Sequence, residues 1–135
     1  MYLFLDTSTP ERIQFFFATE KKILSKKILT QKRPLRIDVL FQLSKTLKRF
    51  RKTPRAVLGI AVVVGPGYFS HLRTGIAIAN TWSFVFGTPL IGIPTDQFLG
   101  DLIFVQKTIS SLKRQKRGVL LIPQYGREPT ITKKS

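Results

Sequence analysis

Apolar residues along the chain fall into two patterns, short unbroken runs and positions at helical spacing. The first pattern is typical of buried strands and the second of helices. The runs predict strands over 2–6, 12–18, 23–30, 57–64, 90–93 and 119–122. The spaced positions predict helices over 36–51, 72–86 and 96–117. The order βββαβαβ, followed by one more helix and strand, predicts an α/β fold with a mixed sheet.

The apolar middle of the chain raises the question of a membrane span. No charged residue occurs from Thr74 to Thr95. Glycines and prolines interrupt this stretch, whereas spanning a bilayer requires about 20 consecutive apolar residues in a helix. We therefore expect no transmembrane segment and no membrane partner.

Charge is the strongest compositional signal. The 135 residues, most simply one domain, carry a formal net charge of +16. Lys and Arg concentrate in residues 21–55 and 107–135, on either side of a nearly neutral centre. Such an excess indicates an anionic partner, which is nucleic acid, an acidic protein or a membrane surface. The alternative is a solvated basic surface that only favours solubility.

Several kinds of site are excluded by residue content. The chain has no cysteine, so it forms no disulfide, thiolate metal site or cysteine nucleophile. His71 is its only histidine, so no cluster of histidines can bind a metal. The opening MYLFLDTS has no basic region before its apolar run, unlike a signal peptide. We expect a cytoplasmic protein without a bound metal.

The turn Gly65-Pro66-Gly67 joins a predicted strand to a predicted helix. Such a turn either cradles a phosphate at the helix N-terminus or relieves crowding in a tight connection. The sequence matches neither the Walker phosphate loop nor the dinucleotide motif, and both interpretations stay open.

The helix predicted over 72–86 is apolar or small all round. One face holds Leu72, Gly75, Ile76, Ala79, Trp82, Ser83 and Phe86, and the other holds Ala77, Ile78, Thr81, Phe84 and Val85. The small residues at positions 75, 79 and 83 form a smooth stripe that allows another helix to approach. We expect a protein interface here, unless another helix of the chain covers the stripe.

The stretch GIAVVVGPGYFSHLRTGIAIA resembles the GIAVVVGPGSFTGLRIG signature of the TsaB (YeaZ) family. The opening YLFLDTST, the segment LIGIPT and the closing IPQYGREP resemble further motifs of that family. The signature positions are Gly65, Pro66, Gly67, Phe69, Leu72, Arg73 and Gly75.

This resemblance implies the first lobe of an actin/Hsp70-like (ASKHA) fold. It also implies a non-catalytic partner that binds and activates a TsaD-like enzyme, together with a TsaE-like ATPase, for threonylcarbamoylation of adenosine 37 in tRNA. Helices 36–50 and 72–86 would form a helical bundle with TsaD, or a homodimer when the chain is alone. The expected partner-binding residues are Leu40, Ser44, Leu47, Leu72, Arg73, Gly75, Ile76, Ala79 and Ser83. ATP is expected only at the level of the complex, and no cofactor is expected on this chain alone.

The chain also departs from the family pattern. We expect an ASKHA-like lobe over 1–97, a reduced remnant of the second lobe over 98–125 and a basic tail over 126–135. The turn Asp6-Thr7-Ser8 resembles the phosphate-side loop of active ASKHA enzymes, with Asp96 and Asp101 as companion carboxylates by elimination only. Tyr68, Ser70, His71 and Thr74 replace the usual residues of the signature.

Two other functions remain open. A stand-alone RNA-binding protein would use the basic residues, and a small ASKHA-type ATPase would use Asp6. The candidate tRNA contacts are Lys45, Lys48, Arg49, Arg51, Lys52, Lys113, Arg114, Lys116 and Arg117. Contacts of this kind bind phosphates with little sequence preference.

Overall fold

The computed structural model describes residues 1–30 and 38–122. The strands are β1 (Tyr2–Asp6), β2 (Arg12–Ala18), β3 (Ile23–Thr30), β4 (Ile60–Gly65) and β5 (Leu90–Pro94). The α-helices are α1 (Val39–Arg49), α2 (Phe69–Phe86) and α3 (Leu102–Arg114). Short 3-10 turns occupy Pro54–Ala56 and Thr95–Gln97.

The five strands form one mixed sheet in the order β3-β2-β1-β4-β5. The chain first makes an antiparallel meander, because β1 pairs with β2 and β2 with β3 in opposite directions. The later strands β4 and β5 add in parallel on the other side of β1. The predicted α/β class and mixed sheet are confirmed.

Helices cover both faces of the sheet. Helices α1 and α2 pack on one face, where Leu43 and Leu72 join a core that includes Leu5 and Val62. Helix α3 packs on the opposite face over Phe4, Phe16 and Ala61. Successive strand residues therefore enter opposite cores, which explains why β1 and β4 are apolar without alternation.

Two helices begin later in the chain than predicted, directly after a capping aspartate. The carboxylate of Asp38 accepts a hydrogen bond from the Phe41 N–H at 2.9 Å, so α1 begins at Val39 rather than at 36. Asp101 likewise accepts from the Phe104 N–H at 2.8 Å, and α3 covers 102–114 instead of 96–117. An aspartate at this position satisfies an N–H group that has no partner within the helix. Residues 31–37, which include the predicted start of α1, lie outside the described residues.

Two other boundaries of predicted elements differ from the structure. Strand β4 begins at Ile60 rather than at 57, because the 3-10 turn Pro54–Ala56 leads the chain into it. Helix α2 begins one turn earlier than predicted, at Phe69.

The predicted strand over 119–122 is wrong. The side-chain amide of Asn80 donates to the Leu121 carbonyl at 3.0 Å, and its oxygen accepts from the Leu121 N–H at 2.9 Å. These backbone groups therefore bind to α2 rather than to a strand. Val119 and Leu120 are half exposed, unlike residues of the sheet.

Helix α3 shares its core with the sheet of residues 1–97. The assignment of 98–125 to a reduced second lobe and of 126–135 to a tail stays a prediction, and residues 123–135 lie outside the described part of the chain. Among the described residues, no helix combines the length and apolar character that crossing a membrane requires.

Candidate functional site

The loops that follow β1 and β4 meet at one edge of the sheet, because these parallel strands are neighbours. Asp6, which is nearly buried, ends β1. One carboxylate oxygen accepts from the Ser8 N–H at 2.9 Å and from the Ser8 hydroxyl at 2.6 Å. The other accepts from the Gln14 amide at 3.0 Å. Both carboxylate oxygens are thus engaged within the chain.

The signature glycines hold this loop against the start of α2. A Cβ on Gly67 would lie 2.9 Å from the Ser8 carbonyl oxygen, and the Tyr68 N–H donates to that oxygen at 3.1 Å. The Thr7 hydroxyl donates to the His71 carbonyl at 2.5 Å. The contacts give the signature a structural role, while phosphate binding by Asp6-Thr7-Ser8 stays a prediction.

The small-residue stripe of α2 faces the sheet of its own chain. A Cβ on Gly75 would lie 2.6 Å from the Thr7 hydroxyl oxygen and 3.4 Å from a Val62 methyl. Ala79 and Ser83 are buried. This corrects the expected interface, because the close approach that the stripe permits is made by the sheet rather than by a partner. The other expected partner-binding residues that are buried in the same way are Leu47, Leu72 and Ile76.

An apolar groove lies instead between α1 and α2. It has a volume of about 400 Å³ and no charged residue in its lining. The lining residues are Leu40, Ser44, Pro54, Ala77, Ile78, Thr81, Trp82, Val85 and Phe86. Leu40 and Ser44 belong to the expected interface. The rest of the lining comes mainly from the α2 face of Ala77, Ile78, Thr81 and Val85, which is opposite to the small-residue stripe. Arg73, also expected at the interface, is exposed near the start of α2.

Exposed apolar side chains extend the groove. Phe84 is 85% exposed and Val85 is 56% exposed, on the outer side of α2. Leu40 and Phe41 are each more than half exposed on α1. We define these four residues together with the groove lining as the α1/α2 surface.

The groove is held open by contacts beneath it. The indole N–H of Trp82 donates to the Pro54 carbonyl at 3.2 Å, which ties the 3-10 turn to α2. The rings of Trp82 and Phe86 meet edge to face, with centroids 6.4 Å apart. The groove is therefore preformed, so a ligand would not have to organise its floor.

The candidate tRNA contacts divide between two helices on opposite faces of the sheet. The residues from Lys45 to Lys52 lie on or just after α1, whereas Lys113 and its neighbours lie at the end of α3. The hydrogen bond from the Lys113 ammonium to Glu20, at 2.6 Å, raises the pKa of Lys113 above its ordinary value.

The companion carboxylates proposed by elimination both follow β5, at the edge of the sheet where Asp6 ends β1. Asp101 caps α3, and Asp96 is exposed in the turn after β5. Within residues 1–30 and 38–122, no three His, Cys, Asp or Glu side chains group in a way that could hold a metal ion.

Comparison with known proteins identifies a family from the sequence and finds solved structures with a similar fold. The sequence profile of the family described as "TsaD: tRNA N6-adenosine threonylcarbamoyltransferase" matches residues 22–108. A tRNA N6-adenosine threonylcarbamoyltransferase of Aster yellows witches'-broom phytoplasma is 34% identical over 64 residues, which are 47% of this chain and 23% of that protein.

Solved structures extend the comparison. YeaZ from Pseudomonas aeruginosa is 26% identical with a TM-score of 0.61, over 70% of this chain and 44% of that chain. A structure described as an uncharacterized protein with similarity to peptidase YEAZ from Pseudomonas aeruginosa is 27% identical, with a TM-score of 0.59 and the same coverage. The chain thus spans less than half the length of the YeaZ structures and about a quarter of the curated relative.

The resemblance to YeaZ and the ASKHA-like fold are confirmed by these structures. The profile match covers more than half of the chain. The protein therefore belongs to the TsaD family of tRNA threonylcarbamoyladenosine modification proteins, with YeaZ as its structural relative.

Proposed function

We propose that the chain is a non-catalytic partner that binds and activates a TsaD-like enzyme for threonylcarbamoylation of adenosine 37 in tRNA. The observation that carries this proposal is the groove of the α1/α2 surface, which is preformed and has no charged residue in its lining, although the chain is strongly basic. Exposed apolar patches of this kind mark sites of protein association.

The chemistry of the groove favours a helical occupant. A groove between two helices accepts the apolar face of a third helix, whose side chains at intervals of three to four residues fill it. Burying an exposed Phe or Val side chain contributes about 1.5–3 kcal/mol. Phe84 and Val85 are therefore the residues that we expect to contribute most to association.

A TsaD-like enzyme is the partner that fits this groove, because the chain and that family share a fold. Two proteins of one fold can each present the same pair of helices and bury them against each other about a pseudo-two-fold axis. Four helices packed in this way form a bundle. When the enzyme is absent, two copies of the chain would pair through the same surface. A TsaE-like ATPase, and with it ATP, would join at the level of the complex.

Co-expression with the TsaD-like protein of the same organism tests the proposal. We expect co-purification in a 1:1 complex that survives high salt, because apolar contacts are not screened. Val85→Glu combined with Ala77→Glu should abolish the complex. Leu102→Glu combined with Ile103→Glu is the matched control, since it also adds two charges at exposed apolar positions, but on α3 at the other face of the sheet. Equal loss of the complex in both variants, or none in either, contradicts the assignment of the α1/α2 surface.

The matching family is described as a transferase, which favours an enzyme as the second candidate. That candidate is a small ASKHA-type ATPase that uses Asp6. ATP turnover by the purified chain, lost in Asp6→Asn with the circular dichroism spectrum retained, would support it. The engagement of both Asp6 oxygens by Ser8 and Gln14 supports the non-catalytic alternative.

A further inference from the structure

All three helices end at the same edge of the sheet. Helices α1 and α2 connect parallel strands and run opposite to them, so their C-termini lie beside the N-terminal ends of the strands. The end of α3 is placed by its contact with the start of β5. Contacts in the structure agree with this arrangement. The Met1 N-terminal nitrogen donates to the Ala56 carbonyl at 3.3 Å, after α1, and the Gln115 amide donates to the Leu90 carbonyl at 3.2 Å, after α3.

This edge collects basic residues from distant parts of the sequence. They come from the β2–β3 turn, the end of α1 and the end of α3, and all of them are exposed. We name as the basic edge Lys21, Lys22, Lys48, Arg49, Arg51, Lys52, Arg55, Lys113, Arg114, Lys116 and Arg117. Glu20, in the same turn as Lys21 and Lys22, is paired with Lys113.

Apart from Glu20, the acidic residues of the described part of the chain lie towards the opposite edge. Asp6 ends β1, Asp96 follows β5, and Asp38 and Asp101 cap the N-termini of α1 and α3. Arg12 and Arg73 lie at that opposite edge too, so the separation of charge along the strand direction is partial, with the larger positive excess at the basic edge. Such an excess attracts a polyanion from a distance.

A small cavity lies within the basic edge, between Arg55, which follows α1, and Arg117, which follows α3. It has a volume of about 210 Å³ and is lined by Arg55, Arg117, the apolar residues Val57 and Leu58, and the turn from Phe86 to Pro89, with no carboxylate in its lining. The Arg55 guanidinium stacks 5.2 Å from the Phe86 ring centroid. A guanidinium nitrogen of Arg117 lies 3.7 Å from where a Cβ on Gly87 would be, so Arg117 is next to the turn that ends α2. Gly87 itself has a left-handed backbone, with φ of 71°.

The dimensions and chemistry of this cavity suit a single phosphate group. Pockets for small organic ligands have volumes of roughly 300–1,000 Å³, which is larger than this cavity. Two arginine forks match the oxygen geometry of a phosphate, and stacking on an aromatic ring holds a guanidinium in place.

Helix dipoles account for only part of the basic edge. Each helix C-terminus carries roughly half a negative elementary charge, which nearby Lys and Arg residues complement. Three such ends therefore offset about one and a half of the positive charges. The basic edge has many more, so most of its charge is left for an external anion.

We infer that the basic edge binds the phosphate backbone of a folded RNA, with one phosphate held between Arg55 and Arg117. This inference rests on the proposed function for the identity of the RNA, because the family modifies tRNA. The α1/α2 surface and the cavity of the basic edge are neighbours, because Phe86 lines both, but they differ in chemistry. The first is apolar and suits an enzyme, whereas the second is cationic and suits the RNA substrate of that enzyme. Phosphate contacts position an RNA without reading its sequence.

Fluorescence anisotropy with an unmodified tRNA transcript and the full chain tests the inference across a salt series. Arg55→Gln combined with Arg117→Gln should weaken binding about tenfold and lower the slope of log affinity against log salt by about two. The matched control is Lys26→Gln combined with Lys107→Gln, which removes two charges outside the basic edge. This control should keep the affinity within about twofold, because we place no phosphate contact at these residues.

A second variant tests whether the guanidinium group matters beyond its positive charge. Arg55→Lys combined with Arg117→Lys should keep the salt slope and still lose affinity, because an ammonium cannot hold a phosphate by two parallel hydrogen bonds. Circular dichroism of each variant checks that the fold is retained. Equal losses of tRNA affinity in the Arg→Gln pair and in the control pair would overturn the inference. They would indicate that the positive charge of the whole chain attracts the RNA, without a defined phosphate site.

Two further results would also overturn it. One is polyglutamate binding as tightly as tRNA at equal salt, which would indicate an acidic protein partner. The other is no tRNA binding at low salt. Co-purification with the TsaD-like protein, measured on the same variants, keeps the two proposals apart. Arg117→Gln alone leaves the contact between Arg55 and Phe86 in place, so it should weaken tRNA binding and retain that complex. Val85→Glu with Ala77→Glu should lose the complex and keep tRNA binding.

Discussion

Gly75 provides a sharp test of how the loop after β1 is held against α2. In an ordinary helix interior, replacing Gly by Ala stabilises by about 1 kcal/mol. At Gly75 the added Cβ would lie 2.6 Å from the Thr7 hydroxyl oxygen, which donates to the His71 carbonyl at 2.5 Å. Thr7 cannot move aside without breaking this hydrogen bond.

The two effects oppose each other, and their sizes set the expected sign. Overpacking in a tight core costs about 1–3 kcal/mol, so Gly75→Ala should destabilise the protein by about 1 kcal/mol net. Thr7→Ala alone should cost about 1 kcal/mol through the lost hydrogen bond. In the Thr7→Ala background the clashing oxygen is absent, and Gly75→Ala should then stabilise by about 1 kcal/mol.

The predicted coupling between the two positions is therefore about 2 kcal/mol. Urea unfolding of the four proteins measures it, with the fluorescence of Trp82, the only tryptophan, as the probe. Equal destabilisation by Gly75→Ala in both backgrounds would refute the reasoning, because the limiting neighbour would then be the Val62 methyl at 3.4 Å. Stabilisation in the parent protein would refute it as well.

Three other substitutions test separate parts of the fold. Asp101→Ala should cost about 1 kcal/mol in urea unfolding through loss of the α3 cap, and Asp101→Asn should restore most of it. Phe4→Ala should cost about 3–5 kcal/mol in the same assay, because Phe4 is fully buried and stacks on Phe16 with ring centroids 4.6 Å apart. A cost below 1 kcal/mol would show that the α3 core is loosely packed. Asn80→Ala should speed hydrogen exchange at the Leu121 amide while the amides of the sheet stay protected, and unchanged exchange at Leu121 would contradict the contact.

Strand bounds follow from the sequence where a polar turn borders the run. Strands β1, β2 and β3 have the bounds that the sequence predicts, because polar residues follow β1 and flank β2 and β3. Strand β4 is as buried as β1 but begins three residues later than predicted, since no polar residue marks its start. Helix ends were harder to place. Asp38 and Asp101 are capping residues by type, but their role depends on which N–H groups the helix leaves unpaired.

In the segment 119–122, the local sequence pattern predicts a strand that the structure does not contain. Its apolar residues predict a strand, yet a strand requires a neighbouring edge to pair with. The side chain of Asn80, 41 residues away, forms hydrogen bonds with the backbone N–H and carbonyl of Leu121 instead. Pairing over such a separation is a property of the tertiary structure.

The sequence alone determined the order of the main elements, the loop signature and the family resemblance, because these depend on residues close together in the chain. Helix α2 is apolar or small all round, so periodicity could not say which face the sheet would cover. Packing decided this by placing the smooth stripe, Gly75, Ala79 and Ser83, against the sheet and leaving Phe84 and Val85 outside. The basic edge likewise required the fold, because three helices that return along parallel strands end together and bring Arg55 near Arg117.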